Sequence, residues 1–243
     1  MKIIAMIPAR YGATRFPGKL VADLGGKPVI ARTYEAAVNT GLFDEVIIVT
    51  DSDIITDAVK ICGAPVVRSI REHECGTDRI AEAAEYSDAD IVVNIQGDEP
   101  FVNKAALEKL LSVFDGPDAA SIDLASLMQE MTNLQDISDP NFVKVVTGID
   151  DFALYFSRSP IPYPRDKETP TTYYEHIGVY AFRKQALMDF YRMALTPLEA
   201  TEKIECNRFL EYGKKIKMVT SAYMGVEIDT PDDLLRAEAY LNK

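Results

Sequence analysis

The first 22 residues of the chain carry four cations and no acid, although the whole chain of 243 residues has a formal net charge of −12. The cations are Lys2, Arg10, Arg15 and Lys19, and the last three lie in or beside a loop bent by glycine and proline after an apolar run. A strand that ends in a cationic loop is typical of phosphate sites. Local positive charge in an acidic protein favours a bound anion, with an ordinary exposed basic loop as the alternative. We therefore predict a polyphosphate site after the first strand.

Two carboxylates could supply a magnesium site beside this polyphosphate. Asp98 follows an apolar run, and Asp229 precedes the last helical pattern of the chain. Mg²⁺ prefers one or two carboxylates together with phosphate oxygens and water. The alternative is that Asp98 begins a turn and that Thr230 and Asp232 cap the last helix, because both uses are common. If the metal role is correct, Asp98 and Asp229 should meet at one edge of the sheet.

Further polar residues stand where predicted elements begin or end. Gly76, Thr77 and Arg79 open a predicted helix, where free backbone N–H groups and a cation can hold a base, ribose or phosphate. Arg158 ends a predicted strand, and its guanidinium suits a bidentate contact with a carboxylate. A capping Thr77 and solvated arginines are the alternatives.

The chain has two histidines, His73 and His176. A lone histidine near a strand, as His176 is, is more often structural or solvated than catalytic. His73 stands between Glu72 and Glu74, and we expect it to be exposed.

Hydrophobic patterning predicts the elements that position these residues. Apolar, β-branched runs alternate with helical periodicity, which indicates a Rossmann-like α/β fold with a mostly parallel sheet and helices on both faces. The loops after residues 7, 50 and 95 follow the carboxyl ends of strands, where ligands bind in open sheets of this class. The predicted strands are 3–7, 46–50, 65–67, 91–95 and 119–127, and the predicted helices are 28–41, 52–62, 77–86 and 103–114.

The pattern changes after residue 141. Segments 142–146 and 152–157 predict an antiparallel hairpin, and four prolines within 159–174 predict an extended loop. We therefore predict an inserted antiparallel region at 142–213 for sugar binding and dimerisation. The nucleotide-binding α/β core is then formed by 1–141 and 214–243. Strands are predicted at 177–182 and 216–221, and helices at 184–193, 198–212 and 231–241.

Composition narrows the class of protein. The chain is 47% hydrophobic and 26% charged, which is typical of a soluble globular protein. Its negative balance argues against nucleic acid or an anionic membrane as the main partner. No apolar run approaches the ~20 residues of a membrane span, and the amino terminus lacks the form of a signal peptide. Three widely spaced cysteines predict reduced thiols in a cytoplasmic protein.

Seven motifs in order carry a resemblance to one family. Together they resemble the 3-deoxy-manno-octulosonate cytidylyltransferases, also called CMP-Kdo synthetases, along essentially the whole chain. The resemblance implies CTP and the acidic sugar Kdo as substrates, Mg²⁺ as cofactor, a homodimer, and a role in lipopolysaccharide biosynthesis in a Gram-negative cytoplasm. The motifs are Ile7-Pro8-Ala9-Arg10-Tyr11, Thr14-Arg15-Phe16-Pro17-Gly18-Lys19, Gly76-Thr77-Asp78-Arg79-Ile80-Ala81-Glu82, Val93-Asn94-Ile95-Gln96-Gly97-Asp98-Glu99-Pro100, Tyr155-Phe156-Ser157-Arg158, His176-Ile177-Gly178-Val179-Tyr180 and Asp229-Thr230-Pro231-Asp232-Asp233.

The same resemblance implies a role for individual residues. The sugar's anomeric hydroxyl would attack the α-phosphorus of CTP and pyrophosphate would leave, with Arg15, Lys19, Asp98 and Asp229 as the catalytic set. Asp98 and Asp229 would hold the metal. The nucleotide would contact Pro8, Ala9, Arg10, Arg15, Lys19, Gly76, Thr77, Arg79 and Gln96. The sugar would contact Gln96, Arg158, His176, Tyr180 and Glu205, with Arg158 on its carboxylate.

The chain departs from the family pattern at three places. Cys75 replaces a common serine, and Gly18-Lys19-Leu20-Val21 replaces Gly-Lys-Pro-Leu. Ile204-Glu205-Cys206-Asn207-Arg208 replaces Leu-Glu-Gln-Leu-Arg, which removes an amide from the predicted sugar site. The amino sugar 8-amino-3,8-dideoxy-manno-octulosonate is therefore an alternative substrate, and neutral drift is the other explanation.

Two further alternatives come from other classes. A sialic acid cytidylyltransferase is one, although the segments around Arg158 and His176 favour the Kdo type. A non-catalytic nucleotide-binding module is the other. Such a module would be expected to lack Lys19, Asp98 or Asp229, and all three are present.

Overall fold

The computed structural model describes residues 1–12, 15–73, 75–116, 119–166, 168–221 and 226–241. Thr14, which belongs to one of the motifs, lies outside these residues. The chain divides into two compact units. Unit 1 comprises Met1–Leu107, Arg183–Tyr191 and Met224–Lys243, and unit 2 comprises Glu108–Phe182 and Arg192–Tyr223. These bounds differ from the predicted division at 141/142 and 213/214, and the functional division into core and insertion stays a prediction.

Nine strands and nine α-helices lie in the described residues. The strands are β1 (Ile3–Ala9), β2 (Glu45–Thr50), β3 (Val66–Arg68), β4 (Ile91–Asn94), β5 (Leu124–Met131), β6 (Lys144–Thr147), β7 (Ala153–Ser157), β8 (Tyr173–Arg183) and β9 (Ile216–Thr220). The α-helices are α1 (Val29–Asn39), α2 (Asp53–Ala58), α3 (Gly76–Ala84), α4 (Lys104–Ser112), α5 (Leu134–Ser138), α6 (Lys184–Arg192), α7 (Pro197–Glu202), α8 (Glu205–Glu211) and α9 (Pro231–Leu241). Three short 3-10 helices span Lys19–Val21, Val59–Cys62 and Ala119–Ser121.

The strands of unit 1 form a parallel sheet in the order β3-β2-β1-β4. In the register of this sheet, Ala5 of the central β1 pairs with Val46 on one side and Val93 on the other. Strands β1, β2 and β4 are buried on both faces, which is why their sequences read as continuous apolar runs. Helix α1 packs against α2, β1 and β2, and α3 packs against β1, β2 and β4.

Unit 2 contains both parallel and antiparallel strand pairs. β5 pairs antiparallel with β8 and parallel with β9. The predicted hairpin is formed by β6 and β7, which pair antiparallel, and β6 also pairs with β8. The predicted class, an α/β fold with a mostly parallel sheet and an added antiparallel region, is confirmed.

Three predicted elements differ from the structure. The helix predicted at 198–212 is two helices, α7 and α8, because Lys203 between them adopts a left-handed φ of 54° that no α-helix accommodates. The strand predicted at 119–127 begins at Leu124 after a 3-10 turn, and β8 begins at Tyr173, inside the predicted loop. The short helix α5 was not predicted. It begins after Asn133, whose side chain accepts a hydrogen bond from the N–H of Gln135.

Candidate active site

Lys19 joins the two predicted metal ligands in unit 1. Its Nζ donates a hydrogen bond to Asp98 Oδ2 and another, 2.6 Å long, to Asp229 Oδ1. The Lys19 side chain is 14% exposed, and those of Asp98 and Asp229 are 15% and 26% exposed. The two aspartates therefore meet, as the sequence predicted, in a place largely shielded from solvent.

Two more charged side chains complete this cluster. Arg15 Nη2 lies 2.7 Å from Asp229 Oδ2. Carboxylate oxygens of Asp98, Glu227 and Asp229 all lie within 4.8 Å of one another. Oxygen donors at such spacing suit a hard divalent cation, and the Lys19 ammonium already occupies a cationic position among them. The residues present therefore fit Mg²⁺.

The last helix begins with a capping box that places Asp229. Asp233 Oδ2 accepts hydrogen bonds from the N–H groups of Thr230, at 2.8 Å, and Asp229, at 3.1 Å. Thr230 Oγ1 in turn accepts from the N–H of Asp233 at 3.3 Å, which is the reciprocal pattern of a box. Thr230 thus caps the helix as the alternative predicted, but the second capping residue is Asp233 and not Asp232. The Asp229 carboxylate accepts no hydrogen bond within this box and pairs with Lys19 and Arg15 instead.

Backbone contacts bring the segment of Asp98 to the same place. The N–H of Ile228 donates to the carbonyl of Asp98 at 3.0 Å. Gly97 allows the Asp98 loop to lie against β1, because a Cβ at this position would be 3.1 Å from the carbonyl oxygen of Pro8. Thr33 Oγ1 of α1 donates to the Gly97 carbonyl at 2.9 Å and holds the loop from the other side.

The charges of this cluster shift the protonation of its members. Burial alone would lower the pKa of Lys19, but the charges of Asp98 and Asp229 outweigh it and raise the pKa. Desolvation and the carboxylates of Asp98, Glu99 and Asp229 both act to raise the pKa of Glu227, and the neighbouring charges are the cause that holds here because Glu227 is exposed to solvent. A crowded set of carboxylates favours the binding of added positive charge.

Arg10 and Arg79 line one cavity of about 530 Å³ in unit 1. Arg10 follows the last residue of β1, Ala9, which is buried. Arg79 is buried too, and its guanidinium donates to Ser69 Oγ at 2.6 Å and to Asp51 Oδ2 at 3.1 Å. The alternative of a solvated Arg79 is therefore wrong. The other lining residues are Tyr11, Gly12, Asp51, Ser52, Glu72 and His73.

His73 is not exposed, which corrects the prediction. Its side chain is 2% exposed, and Nε2 lies 2.7 Å from Glu82 Oε2. Burial would raise the pKa of Glu82, but its hydrogen bonds to His73 and to the backbone N–H of Ile70 outweigh burial and lower it. The neighbouring acids in the sequence suggested exposure to solvent, whereas the actual partner, Glu82, lies in α3.

Three of the predicted nucleotide residues converge at the start of α3. A Cβ at Gly76 would lie 3.1 Å from Pro8 Cγ and 3.5 Å from Gln96 Oε1. Gln96 Nε2 donates to Asn94 Oδ1 at 3.3 Å, and Asn94 Nδ2 donates to Thr77 Oγ1 at 3.1 Å. Thr77 is fully buried inside the helix, so the capping role is wrong and its hydroxyl supports the Gln96 side chain through Asn94.

In unit 2, backbone carbonyls hold the Arg158 guanidinium. Nε donates to Glu202 O at 2.7 Å, Nη1 donates to Pro140 O at 2.8 Å, and Nη2 lies 3.5 Å from Lys203 O. Contact with a sugar carboxylate would use the remaining N–H bonds of Nη1 and Nη2. That contact stays a prediction.

The Glu202 carboxylate fixes the end of β7. It accepts hydrogen bonds from Tyr155 Oη at 3.1 Å, Ser157 Oγ at 2.8 Å and the N–H of Arg158 at 2.9 Å. Burial would raise the pKa of Glu202, but these hydrogen bonds outweigh it and lower the pKa. Sequence analysis did not identify Glu202, because it was placed in the middle of a longer predicted helix.

His176 and Tyr180 share one aromatic cluster on β8. Their ring centroids are 5.5 Å apart, and the His176 ring packs 4.8 Å from that of Phe156. His176 Nε2 lies 2.9 Å from the hydroxyl oxygen of the buried Ser126. Desolvation lowers the pKa of His176 to about 3, so the imidazole is neutral at physiological pH. Ser126 was not predicted, because it lies inside an apolar strand.

Helix α8 contains the third departure from the family pattern, at residues 204–208. Glu205, a predicted sugar contact, is its first residue and is half-buried. Cys206 is 2% exposed, and its thiol shares a hydrogen bond with Tyr180. Asn207 is 1% exposed and donates its amide to the carbonyl of Phe156 at 3.1 Å. Cys206 and Asn207 are therefore part of the packing beneath the helix.

Glu227 was also missed by sequence analysis. It stands two residues before Asp229, and in an extended segment residues two apart lie on the same side. That spacing was a usable signal for a third carboxylate at the site.

The arrangement in unit 1 defines a class of protein. A parallel sheet with a cationic loop after β1, and with carboxylates at Asp98 and Asp229, is the arrangement of a nucleotidyltransferase. A model of the family described as Cytidylyltransferase matches residues 4–216 of the chain.

Relatives narrow the class further. A protein of Christiangramia forsetii, named 3-deoxy-manno-octulosonate cytidylyltransferase, is 64% identical over 241 residues, which are 99% of this chain and 97% of that protein. A Flavobacterium johnsoniae protein of the same name is 60% identical over 99% of both chains. The chain belongs to the 3-deoxy-manno-octulosonate cytidylyltransferase family and is a nucleotidyltransferase enzyme.

Solved structures agree in fold. A CMP:2-keto-3-deoxy-manno-octonic acid synthetase complexed with CTP superimposes with a TM-score of 0.93 at 36% identity, covering 100% of this chain and 99% of that one. A 4-diphosphocytidyl-2C-methyl-D-erythritol synthase from Anaerococcus prevotii has a TM-score of 0.64 at 19% identity over 100% and 99% of the two chains, and shows the fold alone. Among the described residues, no helix combines the length and apolarity needed to cross a membrane.

Proposed function

We propose that the chain transfers CMP from CTP to the anomeric hydroxyl of Kdo and releases pyrophosphate. The observation that carries the proposal is the contact of one ammonium, that of Lys19, with both Asp98 and Asp229. Cations able to bind a triphosphate and carboxylates able to bind its metal thus occupy one small cluster. The family relationship supplies the nucleotide and the sugar.

The residues of this cluster would have different roles in the reaction. Arg15 and Lys19 would bind phosphate oxygens and offset the negative charge that grows on them in the transition state, where catalysis of phosphoryl transfer mostly lies. Asp98 and Asp229, with Glu227 beside them, would hold Mg²⁺. When bound, Mg²⁺ supplies Lewis-acid polarisation of the phosphate oxygens.

The bond changes are those of one substitution at phosphorus. The sugar oxygen forms a bond to the α-phosphorus, and the bond from that phosphorus to the oxygen bridging to the β-phosphorus breaks. The hydroxyl loses its proton as the new bond forms, and Asp98 is the residue that we propose assists this loss. Pyrophosphate carries the displaced electron pair away.

The unaminated sugar is the proposed substrate. The relatives with 64% and 60% identity are named for it, and the aminated alternative is not favoured. The departure that suggested the amino sugar has a packing explanation, because Cys206 is buried and bonded to Tyr180.

The proposal includes the setting of the enzyme. We place it in the bacterial cytoplasm, which agrees with the free state of Cys62, Cys75 and Cys206. We also propose a homodimer that uses the region 142–213, which light scattering coupled to size-exclusion chromatography would test. A monomer at micromolar concentration would contradict that part.

Pyrophosphate release tests the reaction. With CTP, Mg²⁺ and a panel of 2-keto-3-deoxy sugar acids, we expect release with Kdo. Asp229→Asn should lower the rate by about 100-fold or more, because electrostatic groups of this kind contribute that much. The exposed Asp232→Asn, three positions away in the same segment, is the matched control and should retain the wild-type rate. Equal rates in the two variants would refute the assignment of Asp229, and no release with any sugar acid would refute the function.

A further inference from the structure

Ser126 presents one hydroxyl to three polar partners. Its side chain is fully buried, and Oγ lies 2.8 Å from the carbonyl oxygen of Val179 and 3.2 Å from that of Ile177. The third partner is His176 Nε2, at 2.9 Å. An irregularity in the β5–β8 pairing makes this possible, because Ser126 pairs with Tyr180 whereas the next residue, Leu127, pairs with Ile177. The bulge turns backbone carbonyls of β8 toward the serine.

One assignment of protons fits the contacts of Ser126 Oγ best. A carbonyl oxygen only accepts hydrogen bonds, and a serine hydroxyl has a single proton to donate. If that proton pointed at Nε2, Oγ would face the Val179 carbonyl at 2.8 Å with no hydrogen between the two oxygens. Buried lone pairs opposed at that distance are costly. The proton therefore points at a carbonyl, and His176 Nε2 must carry its own hydrogen and donate it to Oγ.

This arrangement determines the other ring nitrogen. A neutral imidazole with a hydrogen on Nε2 has an unprotonated Nδ1, which can only accept. Within the part of the chain that the structure describes, no hydrogen bond engages Nδ1, and the side chain is half-buried. An acceptor-only nitrogen binds a hydroxyl and offers nothing to a carboxylate.

We propose that Ser126 is a positioning residue that holds His176 in the Nε2-protonated form, so that Nδ1 accepts a hydrogen bond from a hydroxyl of the sugar substrate. The inference rests on the proposed function, since it assigns His176 to a hydroxyl of that sugar and leaves the carboxylate to another group. Ser126 itself is buried and does not reach the ligand.

Nitrogen NMR of the whole protein labelled with ¹⁵N-histidine tests the tautomer without reference to activity. The chain has two histidines, and the signals absent from His176→Asn identify those of His176. We expect a protonated Nε2 and an unprotonated Nδ1 in the wild type. A protonated Nδ1 would overturn the proposal even if the enzyme is fully active. In Ser126→Ala the two tautomers should mix, and an unchanged spectrum would also overturn it.

Steady-state kinetics tests the link to the sugar. Ser126→Ala should raise the KM for the sugar by about five- to tenfold, the effect of one hydrogen bond, and leave the KM for CTP within twofold. Ser126→Thr keeps the hydroxyl and should restore both the tautomer and the KM. A merely structural role would move both KM values together or lower kcat alone, and that result would refute the proposal. If the wild type is inactive with every sugar acid, the proposed function fails while the tautomer assignment stands on the NMR result.

Discussion

Lys19 Nζ lies 2.6 Å from Asp229 Oδ1, although 210 positions of sequence separate the two residues. The same ammonium contacts Asp98, so one cation neutralises carboxylates from both sides of the cluster. Arg15 forms an ion pair with the other carboxylate oxygen of Asp229. The site is therefore organised before any ligand binds, with protein cations in the positions that nucleotide and metal would compete for.

Removal of Lys19 should make the stability of the protein depend on magnesium. In Lys19→Met the carboxylates of Asp98, Glu227 and Asp229 lose their central cation, and we expect a loss of about 2 kcal/mol in the free energy of unfolding. For a chain of this length that corresponds to a melting temperature about 4–8 °C lower. Millimolar Mg²⁺ should recover most of this loss and should raise the wild-type melting temperature less.

A surface ion pair provides the control for that experiment. Lys60 pairs with Asp57, and both side chains are largely exposed, at 73% and 69%. Lys60→Met should therefore melt as the wild type does, with or without Mg²⁺. If Mg²⁺ shifts Lys19→Met and Lys60→Met equally, the cluster is not a cation site.

Glu202→Gln should weaken sugar binding more than nucleotide binding. The carboxylate accepts from Tyr155, Ser157 and the backbone of Arg158, and an amide would turn a donor toward at least one of these donors. We expect the KM for the sugar to rise about tenfold, since two hydrogen bonds at the end of β7 are disturbed. Initial rates at fixed CTP measure it. Glu130→Gln, at an exposed position of β5, is the matched control, and an equal effect of both variants would contradict the role of Glu202.

Lys144 is a buried lysine that supports the loop beside Arg158. Its Nζ donates to the carbonyls of Asp139 and Phe142, at 2.9 and 2.6 Å, and the carbonyl of Pro140 between them binds Arg158. Lys144→Met keeps the length of the side chain but leaves two acceptors unsatisfied. We expect a loss of about 1–3 kcal/mol in urea unfolding.

The Lys144→Met variant should also raise the KM for the sugar, because the Pro140 carbonyl would no longer be held in place. Lys109→Met, on the exposed side of α4, should change neither stability nor KM. Loss of stability without any change in KM would show that the loop does not position Arg158.

His176 should make the protein less stable as the pH falls from 6.5 toward 3. The folded protein keeps the imidazole neutral down to a pKa of about 3, whereas the unfolded chain takes up the proton near pH 6.5. Because the unfolded state then binds more protons, the free energy of unfolding falls with decreasing pH, by up to about 1.4 kcal/mol per pH unit from this group. Urea unfolding at pH 7, 6 and 5 should show a shallower slope for His176→Gln. Parallel slopes would contradict the low pKa.

The residues at the edge of the sheet could be predicted because the sequence patterns that indicate the strands are local. Apolar runs that are buried on both faces identify parallel strands, and their carboxyl ends then bring Lys19, Asp98 and Asp229 to one side. The capping box was predicted in part, since Thr230 and Asp232 were named as caps of the last helix and the second capping residue is Asp233. Side chains one position apart at a helix start are distinguished only by the geometry of the first turn.

The positioning residues of unit 2 could not be predicted in the same way. Ser126 is one polar residue within an apolar strand, and its partner on β8 depends on a bulge that no local pattern encodes. Glu202 was not identified because the helical periodicity of the sequence continues past Lys203, where the backbone in fact adopts a left-handed φ and ends the helix. His73 was misjudged because its partner, Glu82, is brought close by the packing of α3. Ser126 and Glu202 therefore depend on pairing between residues 50 and 45 positions apart, whereas His73 and Glu82 are nine positions apart.

The cluster around Lys19 joins segments that are far apart in the chain. Asp229 lies 210 positions after Lys19, and the capping box that places it follows directly. A nascent polypeptide on the ribosome therefore cannot assemble this centre until Asp233 has been added. A product that terminates before Asp229 would carry the cationic loop with Asp98 but without its second aspartate.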